Sequence, residues 1–184
     1  MKYGNIKFFD IANGEGVRTS VFVSGCTHRC KHCFQRETWS FDYGDRFDAK
    51  VMERVVESLG PSYVEGLTVL GGEPMEPRNQ QDVLELVEAV RSRYGSTKTI
   101  WIYTGDLYED LTDPESERHT PFTDRILERI DVLVDGPFVE ESKNITLRFR
   151  GSENQRIIDV PATRAAGSVR LWQDLKVYST HTMD

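Results

Sequence analysis

TSVFVSGCTHRCKHCF, residues 19–34, opens as a strand and closes on all three cysteines of the chain, Cys26, Cys30 and Cys33. The run TSVFVS (19–24) is apolar and rich in strand-forming residues, and Gly25 ends it. The spacing that follows is Cys-x3-Cys-x2-Cys. Thiolates ligate zinc and iron, and three within one short loop can converge on a single centre without help from distant chain. One reading is a structural zinc site completed by His28 or His32. Such sites usually pair one Cys-x2-Cys with a second further along, and this chain has no second pair. An electron-transfer cluster normally closes every iron with a protein ligand, which three cysteines do not do. A [4Fe–4S] cube held at three corners leaves one iron open, and an open corner suits catalysis.

Working outward, apolar runs and helical patterns alternate. DAKVMERVVESL (48–59) reads as a helix with Asp48 as its cap and Val51, Val55 and Leu59 on one face. GLTVLGG (66–72) is a short strand running into glycines, and NQQDVLELVEAVRSRY (79–94) is a helix with Val83, Val87, Val90 and Tyr94 along one side. TIWIYTG (99–105) is a strand, PFTDRILERI (121–130) a helix with Pro121 near its start, and DVLVDG (131–136) a strand. The alternation predicts parallel strands joined by helices. The units are too few for an eight-stranded barrel, so an open, partial β/α barrel is expected. ITLRF (145–149) and QRIIDV (155–160) are expected to add strands at one side, and 106–120, with six acidic residues, to form a solvated loop or an acidic docking surface.

The chain has 184 residues, of which 38% are hydrophobic and 29% charged, and is expected to fold as one domain, 1–184. Its formal charge of −7 gives no general attraction to nucleic acid. No apolar run approaches the ~20 residues of a membrane helix, and the first residues show no secretion signal. With its clustered, odd-numbered cysteines, the chain is expected to be cytoplasmic.

A second motif stands one βα unit onward. In LGGEPM (70–75), Gly71 and Gly72 allow close backbone approach, Glu73 can accept a hydrogen bond from an ammonium group, and Pro74 stiffens the turn. The two motifs together resemble the radical S-adenosylmethionine (SAM) superfamily. DIANGEGVRTSVFVSGCTHRCKHCFQRETW (10–39), LGGEPMEPRN (70–79), IWIYTG (100–105), DVLVDGPFV (131–139) and FRGSENQRII (149–158) are similar, in that order, to the anaerobic ribonucleoside-triphosphate reductase-activating proteins. The match spans most of 5–158; 159–184 is unassigned. One departure is Gly14-Glu15-Gly16, where the family commonly has Gly-Pro-Gly.

The resemblance implies a radical SAM activase. Cys26, Cys30 and Cys33 would each ligate one iron of a [4Fe–4S] cluster and act in catalysis through it. SAM would chelate the open iron and be cleaved to methionine and a 5′-deoxyadenosyl radical, which takes hydrogen from a glycine of the reductase. The implied partners are that reductase's glycyl-radical subunit and an electron donor such as flavodoxin or ferredoxin, with no nucleic acid and no membrane. Gly71, Gly72, Glu73 and Pro74 would line the SAM site; Phe34 would pack near adenine, and His32 would offer backbone on the SAM side. Thr104 and Asp135, at strand ends, would contact SAM or cap turns. Asn13 and Arg18 are expected to be structural or to touch ligand or partner. Arg150, Ser152, Asn154 and Gln155 would bind the SAM carboxylate or the partner's loop, or form a turn network. The competing functions are a small radical SAM enzyme with a different target and a non-enzymatic iron–sulfur or zinc module.

Overall fold

The computed structural model describes residues 1–33 and 35–173. Among these residues seven strands form one open sheet: β1 Lys2–Asp10, β2 Val17–Val23, β3 Asp45–Arg46, β4 Val64–Gly71, β5 Thr99–Tyr103, β6 Val132–Asp135 and β7 Arg156–Asp159. Five α-helices accompany it: α1 Ala49–Ser58, α2 Pro77–Tyr94, α3 Tyr108–Thr112, α4 Thr123–Arg129 and α5 Val160–Ala166. The strand order is β3-β1-β2-β4-β5-β6-β7, and the sheet is not closed. β2, β4, β5 and β6 are parallel neighbours, whereas β1 pairs antiparallel with β2 and β7 antiparallel with β6. The parallel strands therefore carry their carboxyl ends to one edge.

Strand alternation divides the sheet into two faces. Val21, Val23, Leu67, Val69, Ile100, Ile102 and Leu133 share one core with Val55 and Leu59 at the end of α1, with Val83 and Val87 of α2, and with Ile126 and Leu127 of α4. The opposite face holds a smaller aromatic cluster of Trp101, Val132 and Val134, flanked by Tyr103, Phe149, Ile157 and Trp172. Local chemistry sets the helix limits. The Asp48 carboxylate accepts from Val51 N at 3.0 Å and starts α1. Pro77 fits the first turn of α2. Asp159 accepts from Ala162 N at 2.9 Å to start α5, which ends at the left-handed Gly167.

Three sequence expectations change. The stretch 145–149 is not a strand: the Asn144 side chain accepts from both Thr146 N and Thr146 Oγ1, closing a turn, and Phe149 has a left-handed φ of 59°. The helix placed over 121–130 begins later, at Thr123, where the Thr120 and Thr123 hydroxyls both donate to Gln80 Oε1 at 2.6 Å and Thr120 N donates to Thr123 Oγ1 at 2.8 Å. Within 106–120, residues 108–112 form a helix, α3, and not only loop. Leu67→Ala, which opens space in the helix-facing core, is expected to cost about 2–5 kcal/mol in denaturant unfolding. Ile145→Ala should change stability by less than about 0.5 kcal/mol, as an exposed turn residue does.

Candidate functional site

The edge formed by the carboxyl ends of β2, β4, β5 and β6 gathers both motifs. The cysteine loop leaves β2, and Gly71 to Pro74 leave β4. Backbone bonds join the two turns: Gly72 N donates to Val23 O at 2.8 Å and Glu73 N to Gly25 O at 2.9 Å. Gly25 N donates in turn to Thr38 O at 2.8 Å. A β-carbon on Gly72 would stand 2.7 Å from Gly25 O and 2.8 Å from Thr38 O, so only glycine fits. Gly71 has φ +113°, with Val23 backbone 2.7 Å from the place its β-carbon would take. The closeness these glycines allow is therefore first of all to the chain's own backbone. Beneath them, Asn79 of α2 donates to Ser24 O at 3.0 Å and to Glu73 O at 2.9 Å, gripping both turns at once.

All three cysteines are free thiols, Cys26 buried and Cys30 and Cys33 half-buried. Cys33 N donates to Cys30 O at 3.1 Å, and Arg29 and His32 adopt left-handed φ values of 51° and 62°, folding the loop back tightly. Burial, then the neighbouring Glu73 carboxylate, pushes the Cys26 thiol up to about 11. A metal cation is what makes such a thiol a thiolate. The donor set fits an iron–sulfur group: soft sulfur ligands only, on one loop, with no fourth cysteine in the chain.

Polar side chains fasten this loop across three strand ends. Glu73, only 1% exposed, accepts from Met75 N at 2.8 Å and from Gly105 N at 2.7 Å. His28, between the first two cysteines, places Nε2 3.2 Å from Glu73 and 3.1 Å from Asp106. Asp106 and then Glu73 push the His28 imidazole up to about 10. Arg118 donates from Nε to Asp106 at 2.8 Å and also pairs with Glu76 at 3.2 Å. Glu76 accepts from Thr27 Oγ1 at 2.9 Å, closing the circuit on the cysteine loop.

The other singled-out residues divide by position. Thr104 Oγ1 accepts from Asp106 N at 3.0 Å, and buried Asp135 accepts from Tyr108 N at 2.8 Å and from Arg156 Nε at 3.0 Å, so both cap turns at this edge. Pro74 is buried in its turn and His32 is exposed, while Phe34 lies outside the described residues. Arg18 is buried within the sheet, donating to Thr68 Oγ1, Leu67 O, Thr99 Oγ1 and O, and Glu15 O at 2.7–3.0 Å. Asn13 donates to Asp10 at 2.6 Å. Arg150, Ser152, Asn154 and Gln155 form a turn network: Gln155 Oε1 accepts from Gly151 N and Ser152 N, Arg150 donates to Gln155 O, and Asn154 donates to Pro137 O. Sequence reasoning passed over Asp106 and Arg118, and saw His28 only as a zinc ligand. The available signal was Arg118 as the lone arginine in an acidic stretch.

The sequence matches the family described as a 4Fe-4S single cluster domain over residues 12–158. Among curated relatives, a protein of Vibrio cholerae serotype O1 named anaerobic ribonucleoside-triphosphate reductase-activating protein is 37% identical over 85% of this chain and 97% of its own length. The like-named protein of Enterobacteria phage T4 is 35% identical over 85% of this chain and 93% of its own. That of Escherichia coli (strain K12) is 34% identical over 84% and 96%.

Removing the His28 clasp tests the circuit. His28→Ala is expected to raise amide hydrogen exchange across 26–33 by several-fold, since it removes the part-buried ion pairs of the imidazole with Glu73 and Asp106. Exchange in β4 and β5 should stay near that of the parent protein. Unchanged exchange in the loop would show that the imidazole does not hold it.

Proposed function

The chain belongs to the anaerobic ribonucleoside-triphosphate reductase-activating proteins, and from that membership we propose that it is a radical SAM activase, a single domain that installs a glycyl radical on such a reductase. The observation that carries this reading is three free thiols on one loop, bonded backbone to backbone to the Gly71–Pro74 turn at the carboxyl edge of a parallel sheet. On this reading the open mixed sheet would be the partial barrel of a radical SAM protein, and its carboxyl edge is where ligand sites of β/α folds gather.

Cys26, Cys30 and Cys33 would hold three irons of a [4Fe–4S] cluster. Such a cluster would supply the electron for reductive cleavage of SAM to methionine and a 5′-deoxyadenosyl radical. The residues do the holding and the positioning. Glu73 already accepts from two backbone N–H groups and faces His28. A carboxylate has about four acceptor sites, so one more bond, from the SAM ammonium, is within its capacity. Gly71 and Gly72 let the turn that carries Glu73 pack directly against the backbone of the cysteine loop. The donor of the electron would be a protein of the flavodoxin or ferredoxin class.

The decisive experiment uses anaerobically reconstituted protein, reductant, SAM and a reductase whose glycine carries deuterium at the α-carbon. A glycyl radical should appear by electron paramagnetic resonance, with deuterium passing into 5′-deoxyadenosine. A reductase radical without deuterium transfer would rule out direct abstraction, and SAM cleavage that activates no reductase would point to another target. Each of Cys26→Ala, Cys30→Ala and Cys33→Ala should lose the intact cluster; stoichiometric zinc without iron in the parent would overturn the assignment.

A further inference from the structure

The connection between β6 and β7 does not stand clear of the sheet. It leaves the carboxyl edge after Asp135 and returns to it at Arg156, and these two residues are register partners. Between them, Phe149 packs on the cluster of Trp101, Val132 and Val134. Its ring lies 5.4 Å from that of Trp101, whose register partner is Val132, at the opposite end of β6 from Asp135. The connection therefore folds back over the sheet face that lies away from the core shared with α1, α2 and α4.

Many of its hydrogen bonds run within the connection itself. Asn144 N donates to Gly151 O at 3.1 Å, Glu153 N to Ser142 O at 2.9 Å, and Gln155 to Gly136 O at 3.1 Å. Such bonds shape the segment without fastening it to the sheet; the rings do the fastening. Phe149 has a left-handed φ of 59°, which is unfavourable for a bulky side chain and persists where the surroundings impose it. Those surroundings are aromatic. Trp172 lies 6.3 Å from Phe149 and 5.2 Å from Trp101, and all three rings meet edge to face. Trp172 stands outside residues 12–158, which match the family. Beyond α5 the chain returns along β7, the last strand of the sheet: Asp159 N donates to Arg170 O at 2.9 Å, Leu171 is bridged to Ile158, and Trp172 N donates to Ile157 O at 2.8 Å.

We propose that residues 136–155 form a flap, latched by Phe149 against Trp101 and Trp172, whose release admits the reductase's glycine loop to the cysteine edge. The inference rests on the activase reading, on which a glycine α-carbon must come to that edge. α1, α2 and α4 occupy one side of the sheet, and the flap lies on the other. Ring contacts hold the closed form, while release relieves the backbone at Phe149, and this brings the open form nearer to the closed one in energy. The 106–120 segment is fastened differently. His28 with Asp106, and Arg118 with Glu76, tie it to the cysteine loop and to the start of α2, so it stays in place when the flap moves.

The test uses the full chain, with limited proteolysis as one arm and association with the reductase as the other. In Trp172→Ala and in Phe149→Gly, trypsin is expected to cut after Lys143, Arg148 or Arg150 about tenfold faster or more, because cleavage follows the open population. Cleavage after Arg91, within α2, should stay near that of the parent, and Trp172→Phe, which keeps a ring in place, should restore the slow rate. Both opened variants, reconstituted anaerobically, should associate with the reductase several-fold faster, since more of the protein is open. Unchanged cleavage of 143–150 in either variant would show that the rings are no latch, and an equal rise at Arg91 would make them part of the core instead. Faster cleavage with association that is unchanged or slower would show that the flap is no gate. A parent that neither binds nor activates any reductase overturns the activase reading, and the gate falls with it, while the proteolysis still decides the latch.

Discussion

Two backbone turns lie so close that neither can carry a side chain between them, and the working edge depends on that closeness. Gly72 N reaches Val23 O and Glu73 N reaches Gly25 O, while Gly25 N reaches Thr38 O. The loop that carries the thiols is thereby set against the end of β4 before any side chain contributes. A β-carbon at Gly72 would meet the carbonyl oxygens of Gly25 and Thr38 inside 3 Å, and hydrogen-bonded backbone cannot yield as the end of a flexible side chain can. The side-chain layer then builds on this base: Asn79 beneath, Glu73 between β4 and β5, and His28 and Arg118 drawing the cysteine loop and the 106–120 segment together.

The two faces of the sheet beneath this edge are built differently. One face is apolar and covered by α1, α2 and α4. The other buries Arg18, Ser20 and Thr68 beside Trp101, with the guanidinium 5.4 Å from the indole ring. Burial brings the Arg18 pKa down to about 10, but five hydrogen bonds to Thr68, Leu67, Thr99 and Glu15 compensate, so the cation remains in place.

Much of this was legible in the sequence, for definite reasons. The parallel strands and their helices are continuous apolar periods, and Asp48 announces its own helix; the cysteines and LGGEP stand at strand ends because strand and motif are adjacent in sequence. What was missed depends on contacts between distant segments. β1 escaped notice because its bulges, between Tyr3 and Asn5 and again between Lys7 and Asp10, break the alternation that marks a strand. ITLRF has strand-forming residues, yet Asn144 closes a turn across it and Ile145 faces outward. The acidic count of 106–120 concealed that Asp106 faces inward to His28 and Arg118, while the acids beyond it face out.

The central claim is that the three thiols leave one iron corner for SAM. The most direct measurement is electron–nuclear double resonance on the reduced, reconstituted protein with SAM labelled by 15N at its amino group. The account predicts a coupling between the cluster spin and that nitrogen, present in the parent and absent without SAM. A reduced cluster that binds SAM yet shows no such coupling would contradict it.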